Sequence, residues 1–306
     1  MLQRTTWPRK TRELHNHHMD STVWNEFRFR GDDIVIGTYA KSGTTWTQQI
    51  VAQLIFGGTD GIDVPTLSPW LDMRIMPRAE MLAALEAQTH RRFIKTHLPV
   101  DALRFSPDAS YLYIVRDGRD VVWSMHNHVY HATDQFYRLI NDTPGRIGPG
   151  ISRPGSDIRR FFLEWLDGDG APFWSFWENI RSWWQIRDLP NVRLVHFNDL
   201  KADPAGEIRS IAAFLGIDVD EAAWPAILER CSFDYMKHHA ERAAPLGGML
   251  WEGGAGTFIH KGTNGRWRDV LTDADNRRYL EMAERELGAE CAAWLGAGRS
   301  ASEQAA

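Results

Sequence analysis

The sequence predicts an α/β fold: a single domain with a central, mostly parallel sheet flanked by helices on both faces. Two observations predict it. Short apolar runs alternate with helix-period segments along the 306-residue chain. Three chemically suggestive segments also begin where a predicted strand ends, which is where ligands bind in sheets of this kind. The domain is placed at residues 20–296, with 1–19 and 297–306 as flexible termini.

The elements follow in order. Met1 to Asp20 is polar and basic, with Pro8 and three histidines, and has no apolar core for a signal peptide or membrane anchor. Ile34, Val35 and Ile36 open a strand over 34–38. A helix over 46–56 follows, with Trp46, Ile50 and Leu54 on one face and Gly57-Gly58 to stop it. Further strands are predicted over 92–95, 111–115 and 193–197. Helices over 120–131 and 204–215 follow the last two, the second with Ile208, Ile211, Ala212 and Leu215 on one face. The stretch 141–156, rich in Gly and Pro, reads as a mobile lid or an unstructured insertion. A second irregular stretch, 243–256, leads into a basic segment. Neither divides the domain, because the helices around them need the same sheet.

Composition bounds the function. Hydrophobic residues make up 43% and charged residues 25%, as in a soluble globular protein. The net charge of −5 argues against nucleic acid as the main partner. Two distant cysteines, Cys231 and Cys291, fit a reducing, cytoplasmic setting without a disulfide framework. No stretch has the length of a membrane span, so no membrane partner is expected. Histidines cluster at His15, His17 and His18, at His126, His128 and His131, and at His238 and His239, but without Cys or paired carboxylates at ligand spacing. No metal is expected.

Four segments carry the chemistry. The first, Thr38-Tyr39-Ala40-Lys41-Ser42-Gly43-Thr44-Thr45-Trp46, links strand to helix. Loop amides and the positive end of the helix dipole there converge on one anion beside Lys41. It is not a Walker A loop, since the lysine precedes the glycine. In the second, Phe93-Ile94-Lys95-Thr96-His97-Leu98-Pro99, a strand delivers Lys95 and His97 to its end. A histidine so placed can reach a hydroxyl proton at neutral pH. In the third, Arg116 ends a strand and Ser124 follows eight residues later. A guanidinium fork and a hydroxyl suit a phosphate, although Arg116 could instead pair with Asp117 or Asp120. The fourth, Phe258 to Arg268, is a Gly-rich loop with Lys261, Gly262, Gly265 and Trp267 among basic residues.

Together these segments resemble the cytosolic-type sulfotransferases that use 3′-phosphoadenosine 5′-phosphosulfate (PAPS). The first resembles the family's 5′-phosphosulfate loop, the second its Lys-Thr-His-Leu-Pro segment, and the fourth its C-terminal Arg-Lys-Gly-x-x-Gly-x-Trp signature, with His260 in place of the arginine. The resemblance runs from about Ile34 to Thr272. It implies a P-loop-NTPase-like sulfotransferase fold and transfer of a sulfuryl group to the hydroxyl of a small, hydrophobic phenol or alcohol, releasing adenosine 3′,5′-bisphosphate (PAP). His97 inherits the general-base role, with Lys41, Lys95 and Ser124 beside it as catalytic residues. Lys41, Ser42, Gly43, Thr44, Thr45 and Trp46 would hold the 5′ side and the adenine. Arg116, Ser124, His260, Lys261 and Gly262 would hold the 3′-phosphate. Phe233, in a segment like the family's Thr-Ser-Phe, would stack on adenine. Trp70, in a segment like Pro-Phe-Leu, would line the acceptor pocket with His97, His131 and Phe136. Trp165 and Tyr137 add to the aromatic surface that favours a hydrophobic acceptor. The segments at 171–177 and 183–184 resemble the family's tryptophan-rich helix, which is chiefly structural. Asp273 and Arg277 replace the valine and glutamate of the family's dimerisation motif, so a homodimer by that route is not expected.

Two other readings stay open at this point. An ATP-dependent kinase would need Gly-Lys-Ser/Thr and an acidic Mg²⁺ ligand, for which Asp117 is the near candidate. A non-catalytic module could keep the nucleotide cradle without turnover.

Overall fold

The computed structural model describes residues 6–299. Its centre is a four-stranded sheet of β1 (Ile34–Thr38), β2 (Phe93–Thr96), β3 (Ser110–Val115) and β4 (Val192–His196). The spatial order is β2-β1-β3-β4 and every pair is parallel. The chain moves to one side of β1 for β2 and to the other for β3, so the sheet has a switch point beside β1.

Alternation along the strands fills two cores. Val35, Ile94, Tyr111, Tyr113 and Val115 face one, and Ile34, Ile36, Phe93, Leu112 and Ile114 face the other. Both sets are buried, which is why the strands read as continuous apolar runs.

Five helices position the site: α1 (Thr44–Ile55), α2 (Gly118–Tyr130), α3 (Phe176–Trp184), α4 (Pro204–Leu215) and α5 (Asp273–Leu287). The tryptophan-rich α3 packs against the sheet. Trp183 stacks on Tyr113 with centroids 4.9 Å apart, and a Cβ on Gly37 would sit 2.6 Å from its ring. The same helix fixes the end of β2: Trp183 Nε1 donates to the Leu98 carbonyl and Asn179 Nδ2 to that of His97. Thr272 and Asp275 form a capping box that starts α5.

Several expectations are corrected. The N-terminal segment is not loose where it is described. From residue 6 onward it packs on the domain, with Thr11 N donating to the Asp101 carbonyl, Arg12 paired with Asp101 and Glu178, and His17 and His18 buried. Its polar composition hid this, because tertiary partners supply the aromatic surroundings. At the other end, Arg299 donates to Asp199, so 297–299 is also held. Residues 1–5 and 300–306 lie outside the described residues.

The stretch 141–156 has no helix or strand after Asp142, but it is tied down. Arg74 Nη1 donates to the carbonyls of Thr143 and Pro144, and Asn141 exchanges two hydrogen bonds with the backbone of Ile151. It does not line the cavity described below, so it is not a lid over it. Among the described residues, no helix is long and apolar enough to cross a membrane.

Candidate active site

The carboxyl ends of all four strands open into one cavity of about 1000 Å³. The β1–α1 loop forms its floor. Lys41 and Gly43 both adopt positive φ, 68° and 117°, which turns the chain sharply before α1 begins at Thr44. Glycine takes that conformation at no steric cost and lysine does not, so Lys41 is held in strained backbone. The first-turn amides of α1 have no helical carbonyl behind them, and they meet the positive end of the helix dipole. Lys41, Gly43, Thr44, Thr45 and Trp46 line the cavity. Ser42 does not. Its side chain is buried behind the loop, and among the described residues its Oγ has no hydrogen-bond partner.

The register of β1 and β2 sets the next group. Gly37 pairs with Thr96, so His97 emerges beside Thr38. His97 Nδ1 lies 2.7 Å from the Thr38 carbonyl. A carbonyl only accepts, so Nδ1 carries the proton and Nε2 keeps its lone pair. The ring is buried and packs edge-on against Trp70 at 4.5 Å. Burial, then the charges of Lys95 and Lys41, push its pKa well below the ordinary 6.5, although the Thr38 hydrogen bond opposes this. His97 is therefore neutral in the free protein.

Buried Arg116 and the half-buried Lys95 and Lys41 face the same space. Burial lowers Lys41 to about 7, helped by Lys95 and Arg116, and lowers Lys95 to about 8. Among the described residues neither lysine forms an ion pair. Lys41 Nζ rests 3.3 Å from His128 Nδ1 and over the ring of Phe258, and Lys95 Nζ lies over the ring of Trp70. Such a group of desolvated, unneutralised cations is suited to an anion.

Arg116 joins the last basic loop to this wall. Its Nε and Nη2 donate to Asn264 Oδ1 at 2.9 and 2.6 Å, and Nη2 also donates to the Thr263 carbonyl. Asp120 accepts from Gly265 N, and Lys201 Nζ donates to the Gly262 carbonyl. These bonds bring His260, Lys261, Gly262 and Arg266 into the cavity. Arg116 does not pair with Asp117, whose carboxylate is held by Arg119 at 2.6 Å. Asp117 is thus committed elsewhere as the carboxylate a kinase reading would need. His260 is pushed down to about 4, first by burial and then by Arg266 and Lys261, so it is a neutral donor at most. Beside this loop Phe233 also lines the cavity. A Cβ on Gly262 would lie 2.6 Å from the Phe233 ring, so only glycine lets the two meet.

A family model for the sulfotransferase domain matches residues 31–290, nearly the whole described chain. The chain belongs to the sulfotransferase family. It is an enzyme of that family. The sulfotransferase is similar to the glycolipid sulfotransferase of Mycobacterium tuberculosis, with 31% identity covering 92% of each chain. It is also similar to rat sulfotransferase 1C2, with 28% identity over 86% of this chain and 85% of the other. The mouse sulfotransferase SULT7A1, solved in complex with PAP, superimposes with a TM-score of 0.68 at 25% identity, covering 90% of this chain and 92% of that one.

Most residues singled out from the sulfotransferase sequence line this one cavity, including Ser124, Trp70 and Phe136. Three do not. Ser42 is described above. His131 caps the end of α2, packs on Tyr130 and stays outside the cavity. The histidine that does face inward is His128, one helical turn after Ser124. Trp165 belongs to the core, against Phe176 at 4.9 Å. Sequence reasoning also missed His18, Trp174, Lys201 and Arg266 in the wall. The i, i+4 spacing from Ser124 could have found His128. Nothing local marked His18.

Proposed function

We propose that this sulfotransferase moves a sulfuryl group from PAPS to the hydroxyl of a small apolar acceptor, with His97 as general base. The observation that carries the reading is the pairing, within one cavity, of an imidazole with a fixed tautomer and three cations, Lys41, Lys95 and Arg116. The residues present fit the donor: among the described residues neither Lys41 nor Lys95 forms an ion pair, and the first-turn amides of α1 face the same space. PAPS, when bound, supplies the sulfuryl group and PAP is the leaving product.

Lys41 and the amides and hydroxyls of Thr44 and Thr45 hold the 5′ side. Arg116, Ser124, Lys261 and Gly262 hold the 3′-phosphate, where neutral His260 offers one donor in place of an arginine fork. Trp46 and Phe233 flank the adenine. Trp46 is fixed for this by its Nε1–H donating to the Cys231 carbonyl at 2.7 Å. His97 Nε2 takes the acceptor hydroxyl's proton as the oxygen attacks sulfur in line with the departing phosphate. Lys41 offsets charge growing on the leaving oxygen, and Lys95 faces the sulfuryl oxygens. These fixed cations play the part that Mg²⁺ plays in phosphoryl transfer, so no metal is invoked. The acceptor end is apolar, walled by Trp70, Phe136, Trp174, Met73 and Leu250, which favours a hydrophobic phenol or alcohol.

The test is incubation with labelled PAPS and a panel of phenols, steroids and aliphatic alcohols. Because the mycobacterial relatives are named for glycolipids, glycolipids join the panel. Label should move to a hydroxyl compound, and PAP rather than ATP with Mg²⁺ should raise the melting temperature. No labelled product from any acceptor would contradict the reading.

A further inference from the structure

We infer that His18 is a second, preset hydrogen-bond acceptor in the acceptor pocket, selecting molecules that carry another hydroxyl besides the one sulfated. The inference rests on the sulfotransfer reading above. It begins with the neighbouring histidine. His17 Nε2 lies 2.6 Å from the Pro172 carbonyl, so Nε2 carries its proton. Both His17 and His18 are buried, and burial holds both neutral. A neutral His17 protonated on Nε2 has a lone pair on Nδ1. That nitrogen meets His18 Nδ1, which must therefore be the donor. His18 Nε2 is left with a lone pair.

His18 lines the cavity, and among the described residues no protein group hydrogen-bonds its Nε2. It shares two neighbours with His97. Trp70 stacks on His18 at 6.1 Å and meets His97 at 4.5 Å; Trp174 lies 6.1 Å from the first ring and 5.6 Å from the second. The pocket thus presents two imidazole lone pairs beside the same two indoles, and an acceptor with one hydroxyl can satisfy only one of them.

The position is rigid. Asn16 Oδ1 accepts from the backbone N–H of His18 and of Met19, both at 2.8 Å. Arg74 donates its side chain to the His17 carbonyl and its backbone N–H to that of His18. A preset acceptor left without a donor costs the bound state the full desolvation of that nitrogen. A site built this way rejects analogues that lack the matching hydroxyl far more strongly than an apolar wall rejects a change of size.

The test uses matched acceptors with PAPS: an alkylphenol against the alkylcatechol of the same chain, and a long-chain alkanol against alkanediols of increasing spacing. For the wild type, kcat/KM for at least one dihydroxy member should exceed that of its monohydroxy partner by about tenfold or more. His18→Phe should collapse that ratio towards one. His18→Gln, whose amide carbonyl still accepts, should keep part of it. The readout is a ratio, so a general loss of activity cancels, and PAP-induced thermal protection in each variant confirms a folded nucleotide site. If no diol is preferred, or if His18→Phe keeps the preference, the role of His18 is overturned while sulfotransfer stands. If the wild type sulfates nothing, the sulfotransfer reading fails and this inference with it.

Discussion

His97 Nδ1 and the Thr38 carbonyl oxygen stand 2.7 Å apart, joining the end of β2 to the end of β1. The contact does two things. It commits the imidazole proton to the buried side and leaves Nε2 towards the cavity. It also ties the base to the anion loop, because Thr38 Oγ1 is 2.9 Å from Thr44 Oγ1 in the first turn of α1. One residue therefore sets the positions of the proposed general base and of the proposed donor cradle.

Removing Lys41 should act on the transition state. Lys41→Ala is expected to lower kcat by about 10²–10³, the usual loss for one preorganised electrostatic group. PAP affinity should fall by a smaller factor. Steady-state kinetics and a PAP titration measure both, and a kcat within threefold of wild type would place Lys41 outside the charge that develops in the reaction.

Arg116 depends on Asn264 for its aim. The single Oδ1 accepts from both Nε and Nη2, while the guanidinium lies 4.4 Å from the Phe197 ring. Asn264→Ala should weaken PAP binding about tenfold with the charge still present. Arg116→Lys should weaken it at least as much, since an ammonium cannot replace a fork. Isothermal titration checks both. Equal PAP affinity in all three proteins would detach this wall from the nucleotide.

Donor binding should take up protons at neutral to mildly alkaline pH. In the free protein burial lowers Lys41 to about 7, helped by repulsion from Lys95 and Arg116, and lowers Lys95 to about 8 against the pull of Asp72. Above those values they are increasingly neutral, and a bound polyanion draws protons back onto them. The calorimetric enthalpy of PAP binding at pH about 8 should therefore vary with the ionisation enthalpy of the buffer, in the sense of uptake. Affinity should fall as pH rises through this window. A buffer-independent enthalpy would contradict it.

Acid should destabilise the fold. His17, His18, His97 and His128 all have folded pKa values held below 6.5, chiefly by burial. The unfolded chain binds protons near 6.5 and the folded chain does not until lower pH. Below about 6.5 the unfolded state thus carries more protons, and stability falls as pH falls towards the folded values. Melting curves between neutral and mildly acidic pH should show a falling midpoint. A flat profile would mean that these rings accept protons in the folded state.

How much of this was legible in the sequence follows from what is local. The strand predictions differ from the observed strands by a residue or so, as 92–95 against Phe93–Thr96, because apolar runs bounded by turns mark a buried strand. Parallel order then makes the strand ends coincide, which is why Lys41, His97 and Arg116 converge as expected. The loop after Phe258 could be read as basic, but its attachment through Asn264 to Arg116 spans 148 positions and has no local signature.

The acceptor end was least legible. His131 lies seven residues after Ser124, but α2 stops at Tyr130, so the chain turns away before His131 can face inward. His128 lies within the helix and does face inward. His18 comes from a segment whose polar residues read as a loose terminus, and the aromatic rings that enclose it, Trp70, Phe136, Phe173 and Trp174, arrive from other parts of the chain.

The central claim is that the imidazole of His97 takes the acceptor's proton while the nucleotide is held by other groups. His97→Asn tests it most directly, since an asparagine amide can still donate to the Thr38 carbonyl but offers no base. With saturating PAPS and the best acceptor from the panel, turnover should fall by about 10²–10⁴ while PAP affinity stays within a few-fold of wild type. Turnover retained in His97→Asn, with PAP still bound, would contradict the proposed mechanism.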